Sequence, residues 1–140
     1  MNINVMFSSA TDMWATPQDL FDELNAEFHF TLDPCATAEN AKCKKFYTMA
    51  EDGLKQDWEG ETVFCNPPYG RVIYDWVKKC YTESLKPGTV VVALIPARTD
   101  TRYFHEFVYH KVKDIRFIKG RLKFGNAKHN APFPSMVVVF

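Results

Sequence analysis

The segment TVVVALI, residues 89–95, restricts the possible folds of this chain more than any other feature. Its six consecutive apolar residues do not alternate with polar ones, which is typical of a β-strand buried on both faces. Such strands occur mostly in parallel sheets that carry helices on both faces. We therefore expect a parallel sheet, with neighbouring strands and covering helices supplied by the rest of the chain.

Strands and helices alternate along the remaining sequence. Apolar residues recur at helical spacing after Thr16, a suitable N-cap, and Pro17, which suits the first position of a helix. Further helices are predicted at 72–81 and 102–110, and strands at 28–33, 44–48, 61–65, 114–119 and 135–140. This alternation predicts an α/β sheet with helices on its faces, and the length of 140 residues predicts one domain, residues 1–140.

Polar residues follow several of the predicted strands. Ligands of α/β sheets bind beyond the carboxyl ends of the strands. Asp33 ends the strand at 28–33, Asn66 follows the strand at 61–65, and residues 95–98 form the carboxyl end of the apolar strand and the residues after it. The sequence therefore predicts that these residues share one rim of the sheet, where a ligand would bind.

The motif at residues 66–69, Asn-Pro-Pro-Tyr, raises the clearest question of function. Neither proline can donate to a strand ladder, and each restricts the residue before it, so the chain is held stiff where it leaves the sheet. The carbonyls of Asn66 and Pro67 suit a planar –NH2 group, and Tyr69 can stack on the ring that bears this amine. On these four residues alone, a plain strand-ending turn is an equally good interpretation.

The net charge of zero hides an uneven distribution along the chain. Residues 1–69 contain four lysines and twelve acidic residues, whereas residues 70–140 contain thirteen lysines and arginines and five acidic residues. A basic C-terminal half favours a polyanion such as nucleic acid as partner. Solvated faces that differ in charge without any partner are the alternative.

Several classes of function lack their sequence signatures. Neither G-x-G-x-x-G nor G-x-x-x-x-G-K is present, so nothing indicates NAD or a nucleoside triphosphate. The spacing of His105-Glu106 and His110 does not fit a one-face zinc motif, and the four cysteines form no C-x-x-C pair, so we expect no metal and no disulfides. Without a long apolar run or a signal-peptide pattern, we expect a cytoplasmic protein with no membrane partner.

Six motifs occur in a characteristic order, W-A-T-P, L-D-P-C-A, N-P-P-Y, I-P-A-R, G-R-L-K-F-G and P-F-P-S. Together they resemble the phage-type DNA N6-adenine methyltransferase (Dam) family over nearly the whole chain. The resemblance implies the S-adenosylmethionine-dependent methyltransferase (Rossmann-like) fold, with a mostly parallel seven-stranded sheet and a C-terminal antiparallel hairpin. It implies methyl transfer from S-adenosylmethionine to N6 of an adenine flipped out of double-stranded DNA, by a phage or prophage protein in the host cytoplasm.

The same resemblance assigns roles to individual residues. Asn66 and Pro67 would accept hydrogen bonds from the adenine amine, Tyr69 would stack on the base, and Pro68 completes the catalytic motif. Cofactor contacts are implied for Trp14, Thr16, Pro17, Asp33, Pro34, Cys35, Ala36, Asn40 and Asp52. Asp57 is the alternative to Asp52 for the cofactor adenine, and no residue is assigned to the ribose hydroxyls.

Contacts with DNA are expected from basic residues of the second half. The candidates are Arg71, Arg98, Arg102, Arg121, Lys123, Lys128 and His129. We expect no separate target-recognition domain within residues 1–140, so base reading would come from residues 98–103 and 120–134, or from a second subunit. Phe133 either walls the flipped-base pocket or packs in the core.

Two other functions remain open at the level of sequence. A methyltransferase acting on RNA or on a protein glutamine would also bind a planar –NH2 group, and a nucleic-acid-binding module without catalysis would share the basic half. Both a monomer and a homodimer are compatible with the sequence.

Overall fold

One six-stranded sheet organises the protein in a computed structural model that describes residues 14–125 and 128–140. In chain order the strands are β1 (Leu32–Asp33), β2 (Lys45–Phe46), β3 (Thr62–Cys65), β4 (Val90–Pro96), β5 (Asp114–Phe117) and β6 (Ser135–Val139). Their order across the sheet is β2-β1-β3-β4-β6-β5. Neighbours from β2 to β4 pair in parallel, whereas β6 is antiparallel to both β4 and β5.

The mostly parallel sheet with a terminal antiparallel hairpin is confirmed, but the expected number of seven strands is wrong for the described residues. The difference arises between β2 and β3. This connection contains only a short 3-10 helix, Gly53–Lys55, and is too short for a crossover helix followed by another strand. Among the described residues β2 is therefore the edge strand, and β1 pairs with both β2 and β3.

Strand β4 forms the centre of the core. The side chains from Val91 to Ile95 are fully buried, as the uninterrupted apolar run predicted. Pairing with β3 on one edge and β6 on the other satisfies its backbone groups. Burial of each such aliphatic side chain stabilises the fold by about 1.5–3 kcal/mol, so this strand anchors everything that lies beyond its ends.

Two helices cover the sheet, α1 (Gln18–Phe28) and α2 (Ile73–Ser84). Successive side chains of β3 point to opposite faces of the sheet. Phe64 packs edge-to-face on Phe21 of α1, with ring centroids 5.2 Å apart, whereas Cys65 faces Cys80 of α2. The helix predicted at 102–110 ends earlier, at Val108. Its main part is a single π-helical segment, Phe104–Val108.

The entry and exit of α1 differ from the sequence prediction. Pro17, not Thr16, occupies the N-cap position, and no side chain caps the helix. At the other end, His29 adopts a left-handed conformation, and the Asn25 side chain accepts a hydrogen bond from Phe30 N at 2.9 Å. Phe28 consequently ends the helix, and the strand predicted from this residue begins only at Leu32.

The carboxyl ends of the parallel strands meet at one rim of the sheet, as expected. Asp33, Asn66 and Ala97 follow or end β1, β3 and β4 there. The long connection between β5 and β6 closes over the same rim, because Ala97 N donates to Pro134 O at 2.9 Å and Ala131 N donates to Leu122 O at 2.7 Å. Residues 126 and 127 of this predicted recognition segment, and the N-terminal residues 1–13, lie outside the described residues.

Among the helices of the described residues, none combines the length and apolar character that crossing a membrane requires.

Candidate active site

The NPPY segment, residues 66–69, leaves β3 as the sequence predicted and is anchored to the neighbouring strand. The Tyr69 hydroxyl lies 3.0 Å from the carbonyl oxygen of Leu94 in β4 and 2.8 Å from Asn66 Oδ1. A phenol has a single hydrogen, so it can donate fully to only one of these acceptors at a time. Pro67 is buried, and Pro68 and Asn66 are half-buried. The segment therefore presents Asn66 at the rim on a rigid support.

The orientation of the Asn66 amide is determined by the N-terminal segment. Its Nδ2 atom donates to the carbonyl oxygen of Trp14 and, at 2.9 Å, to Thr16 Oγ1. A backbone carbonyl can only accept, so the nitrogen of the amide must face Trp14. The amide oxygen consequently points towards the Tyr69 hydroxyl. One residue of the predicted catalytic motif is thus held by two residues of the predicted cofactor motif.

Aromatic side chains from three parts of the chain surround Tyr69. This aromatic cluster consists of Trp14, Tyr69, Phe124 and Phe133. The Tyr69 ring meets Phe133 at 5.5 Å and Phe124 at 6.3 Å between centroids, both edge-to-face, and only 3% of Tyr69 is exposed. Trp14 contacts the same two phenylalanines at 5.2 and 5.5 Å. A base could reach the Tyr69 ring only after one of these phenylalanine side chains has moved.

A pocket that is partly open to solvent adjoins the NPPY segment. It connects Asn66 with Asp33, so the two predicted centres of the site share one space. Nine residues line it: Trp14, Ala15, Thr16, Asp33, Cys35, Asn40, Lys42, Phe64 and Asn66. The pocket thus combines residues from the ends of β1 and β3 with the segment that precedes α1.

Asp33 is the buried carboxylate of this pocket. Burial raises its pKa from 3.8 to about 6, although the backbone N–H groups of Lys42, at 3.0 Å, and Cys35, at 3.4 Å, oppose this shift. Burial and the nearby Asp33 charge raise the pKa of the Cys35 and Cys43 thiols to about 12. At neutral pH the thiols are protonated, and Asp33 is the group of the pocket whose charge changes most readily.

The remaining residues predicted to bind the cofactor lie at different distances from the pocket. Asn40 lines it, and its Oδ1 atom accepts a hydrogen bond from Thr37 N at 2.7 Å. Pro34 and Ala36 are buried behind Cys35, and Pro17 follows Thr16 at the start of α1. Asp52 and Asp57 are absent from the pocket lining.

The two acids proposed for the cofactor adenine are not equivalent. Asp52 caps the 3-10 helix through Leu54 N at 3.1 Å, and its neighbour Gly53 packs so closely that an added Cβ would lie 2.1 Å from Pro34 O. Asp52 therefore borders the segment that carries Asp33. Asp57 instead pairs with Lys86 at 2.8 Å on the surface, which leaves Asp52 as the better placed of the two.

The similarity of this chain to known proteins extends over almost its full length. A family model described as DNA N-6-adenine-methyltransferase (Dam) matches residues 5–138. The chain belongs to this family. A DNA N-6-adenine-methyltransferase of Haemophilus phage HP1 (strain HP1c1) is 30% identical over 139 residues, covering 94% of this chain and 80% of the phage protein. One of Escherichia phage T1 is 34% identical over 97 residues, covering 68% of this chain and 40% of the phage protein.

Membership of the Dam family confirms the resemblance drawn from the ordered motifs. It shows the activity of a DNA N6-adenine methyltransferase, an enzyme of a class that uses S-adenosylmethionine. The substrate of this class is DNA, as the basic C-terminal half suggested.

Sequence reasoning overlooked three residues that line the pocket of this Dam family member, Ala15, Lys42 and Phe64. Lys42 matters most, because its backbone N–H binds Asp33 and its Nζ atom donates to Gln18 Oε1 at 2.7 Å. No local signal marks it, since it lies nine residues beyond Asp33. The apolar character of Phe64 indicated only a buried strand.

The residues predicted to contact DNA differ in whether their side chains already have partners within the protein. Arg102 is paired with Glu106 at 2.9 Å and stacks on Tyr74 with 4.6 Å between its guanidinium and the ring centroid, so its charge is already engaged. Arg98 lies 5.5 Å from the ring of Phe133, beside the aromatic cluster. The other candidates are exposed at or near the rim: Arg71, Arg121, Lys123, Lys128 and His129.

Within the described ranges, no three His, Cys, Asp or Glu side chains are grouped so that they could hold a metal ion. His105 contacts the carbonyl oxygen of Thr99 at 2.7 Å, and Glu106 is occupied by Arg102 and Tyr74. Both residues therefore have structural contacts of their own.

Proposed function

We propose that this methyltransferase binds S-adenosylmethionine in the pocket beside Asp33 and methylates N6 of an adenine held by the NPPY segment. One observation carries the proposal: Asn66 belongs to the NPPY segment and also lines the pocket that contains Asp33. A base amine held at Asn66 would therefore face a methyl donor in that pocket. The sheet, with its parallel strands and terminal hairpin, supports a Rossmann-like methyltransferase fold.

The chemistry of the pocket fits a cofactor that carries positive charge. Among the described residues, both hydrogen-bond donors to the Asp33 carboxylate are backbone N–H groups, and the nearby Lys42 ammonium is directed to Gln18. A cationic ligand would stabilise the ionised carboxylate that burial disfavours. When bound, the cofactor supplies an electrophilic methyl group on a sulfonium. Asp33, Cys35, Asn40, Trp14 and Thr16 would hold it, with Pro17, Pro34 and Ala36 shaping the walls and Asp52 at the adenine end.

On the substrate side, two acceptors would position the amine. Asn66 Oδ1 and the Pro67 carbonyl would take the two amine hydrogens, which leaves the nitrogen lone pair directed at the methyl group. The Tyr69 hydroxyl would then donate to Leu94 O, an acceptor it already contacts at 3.0 Å. Charge that develops on the nitrogen during transfer would be stabilised by the same carbonyls.

Base entry would require the aromatic cluster to open. Phe133 or Phe124 would move from the Tyr69 ring, and the flipped adenine would take the place of the displaced ring. The exposed basic residues of the rim, with Arg98 beside Phe133, would bind the phosphates of double-stranded DNA. We further propose that residues 1–140 act as one domain, as a monomer or homodimer, in the cytoplasm of the host cell.

A radiolabel-transfer assay tests the proposal directly. S-adenosylmethionine with a tritiated methyl group is offered with duplex DNA, RNA or a glutamine-containing protein as acceptor, and label is expected in DNA alone. Asn66→Ala should abolish transfer. Asn25→Ala is the matched control, because Asn25 binds Phe30 N outside the site. Transfer by Asn66→Ala at the wild-type rate, or label in RNA or protein but not in DNA, would refute the proposal.

A further inference from the structure

Thr16 makes a contact that its position in the sequence does not explain. It precedes α1, where a threonine ordinarily caps the helix, yet the helix has Pro17 at the N-cap position and no side-chain cap. The Thr16 hydroxyl instead accepts a hydrogen bond from Asn66 Nδ2 at 2.9 Å, across 50 residues of sequence. Its side chain is therefore diverted from the helix to the active site.

The two contacts of Nδ2 decide which atom of the Asn66 amide faces the substrate: the Trp14 carbonyl, which can only accept, selects the orientation, and the Thr16 hydroxyl helps to hold it. With Nδ2 held by the Trp14 carbonyl and the Thr16 hydroxyl, the amide presents Oδ1 as an acceptor. A rotation of the amide by half a turn would direct two N–H donors at an amine that also donates, and the acceptor would be lost. Of the two groups that hold Nδ2, only Thr16 contributes a side chain.

Thr16 also touches the second half of the site. It is buried and lines the pocket that contains Asp33. Accepting from Asn66 leaves the hydrogen of its own hydroxyl for donation, so the same oxygen can take part in a chain of two hydrogen bonds. A ligand acceptor in the pocket would polarise the hydroxyl and strengthen its hold on Asn66.

We propose that Thr16 is a positioning residue that, together with the Trp14 carbonyl, holds the Asn66 amide with its oxygen towards the substrate and links this arrangement to occupancy of the pocket. The proposal rests on the role of Asn66 in methyl transfer given above. It adds a residue that acts through Asn66 on the rate of the chemical step, apart from any contact of Thr16 with the cofactor itself.

The test compares variants in single-turnover methyl transfer at saturating S-adenosylmethionine and saturating duplex DNA, where differences in binding do not affect the rate. Thr16→Val, which keeps the shape and removes the hydroxyl, is expected to slow transfer about tenfold, corresponding to one hydrogen bond. Thr16→Ser, which keeps the hydroxyl, should recover most of the rate. Thr16→Ala serves as a second hydroxyl-free variant if the valine disturbs folding, which a thermal melt would reveal.

Thr89→Val is the matched control. Thr89 is as buried as Thr16, at 5% exposure. Its hydroxyl accepts a hydrogen bond of 2.9 Å from Gly60 N, and neither Thr89 nor Gly60 lines the pocket. Its loss should lower the melting temperature and leave single-turnover transfer unchanged. The inference is overturned if both hydroxyl-free variants of Thr16 transfer methyl at the wild-type rate, or if Thr16→Ser is as slow as Thr16→Val.

Failure of this inference can be told apart from failure of the proposed function. If Asn66→Ala is inactive while the hydroxyl-free variants of Thr16 are as fast as wild type, Asn66 acts in catalysis without help from Thr16. If Asn66→Ala keeps the wild-type rate, the proposed function itself fails, and the positioning role fails with it.

Discussion

The phenol oxygen of Tyr69 lies 2.8 Å from the amide oxygen of Asn66, within the same NPPY segment. The group proposed to accept the adenine amine is thus in contact with a neighbouring hydroxyl in this structure. A carbonyl of β4, Leu94 O at 3.0 Å, offers the same hydroxyl a second acceptor. Release of Asn66 therefore costs little, because the phenol hydrogen can move between two acceptors without being left unsatisfied.

The first prediction separates the hydroxyl of Tyr69 from its ring. Tyr69→Phe should keep turnover close to the wild-type value, because the ring remains and Asn66 Oδ1 becomes free for the amine. Tyr69→Ala should lower kcat/KM about 10- to 100-fold, since stacking of a base on an aromatic ring contributes about 1–3 kcal/mol. Steady-state methylation of duplex DNA measures both variants.

Tyr103→Phe is the control for that comparison. Tyr103 is a buried residue like Tyr69, and its hydroxyl donates to Pro96 O at 2.8 Å and makes no hydrogen bond with Asn66. Each phenylalanine variant should lose about 1 kcal/mol in the free energy of unfolding. If Tyr69→Phe lost as much turnover as Tyr69→Ala, the hydroxyl, and not the ring alone, would be needed for methyl transfer.

The second prediction concerns the stability of the fold as a function of pH. Asp33 has a pKa of about 6 in the folded protein and an ordinary value of 3.8, so the folded state binds its proton more tightly than the unfolded state. A raised carboxyl pKa favours folding at low pH, and this contribution disappears as the pH rises from about 4 to 6, by about 3 kcal/mol at most. Asp33→Asn should flatten this part of the curve in urea unfolding between pH 4 and 7. Equal pH dependence in both proteins would contradict the assignment to Asp33.

The third prediction applies the same ionisation to cofactor binding. A cationic ligand favours the charged carboxylate, so affinity for S-adenosylmethionine should rise about tenfold between pH 5 and pH 7 as Asp33 ionises. The thiols of Cys35, in the pocket, and Cys43 stay protonated over this range because their pKa is about 12, and the Lys42 ammonium is bound to Gln18. Calorimetry with the cofactor alone measures the effect, and Asp33→Asn should bind more weakly without this pH dependence. A wild-type affinity that falls with rising pH would exclude Asp33 as the partner of the cation.

Features encoded by neighbouring residues were predictable from the sequence. The apolar run of β4 and the two prolines after Asn66 determine their own local structure, because burial on two faces and the missing N–H groups act within a few residues. The rim that unites Asp33 with Asn66 followed from the rule for parallel strands. Family membership then confirmed the ordered motifs.

Features that depend on distant partners were not predictable in this way. Threonine is a residue type that often caps helices, yet in the folded protein the Thr16 hydroxyl binds the distant Asn66 side chain. The aromatic cluster joins Trp14 to Phe124 and Phe133, more than a hundred residues away, and nothing in the local pattern indicates that these rings cover Tyr69. Capping the helix and binding Asn66 are both available to the Thr16 hydroxyl at similar free energy, and the packing of the folded sheet determines which of them forms.

The fourth prediction addresses stability away from the site. Glu83 of α2 is buried, and its carboxylate accepts from Trp58 N at 2.6 Å and pairs with Lys86 at 2.7 Å. Glu83→Ala would leave the Trp58 N–H without its acceptor and should reduce the free energy of unfolding by about 3 kcal/mol. Glu83→Gln, which keeps an acceptor, should lose less. Urea unfolding at neutral pH measures the change, and a transition midpoint unaffected by the alanine would contradict it, while turnover of the folded variant at low temperature should remain normal.

The last prediction compares an exposed arginine with one whose charge is already paired. Arg121 is exposed on the connection between β5 and β6, whereas Arg102 is bound by Glu106 and Tyr74. Arg121→Ala should weaken binding of duplex DNA and reduce the slope of log K against log salt by about one, the loss of one phosphate contact. Arg102→Ala should change the slope less, because pairing with Glu106 already offsets its charge. Fluorescence anisotropy over a salt series measures both, and calorimetry should find S-adenosylmethionine binding intact in each variant. Equal loss of DNA and cofactor binding in Arg121→Ala would contradict a role for Arg121 in binding DNA alone.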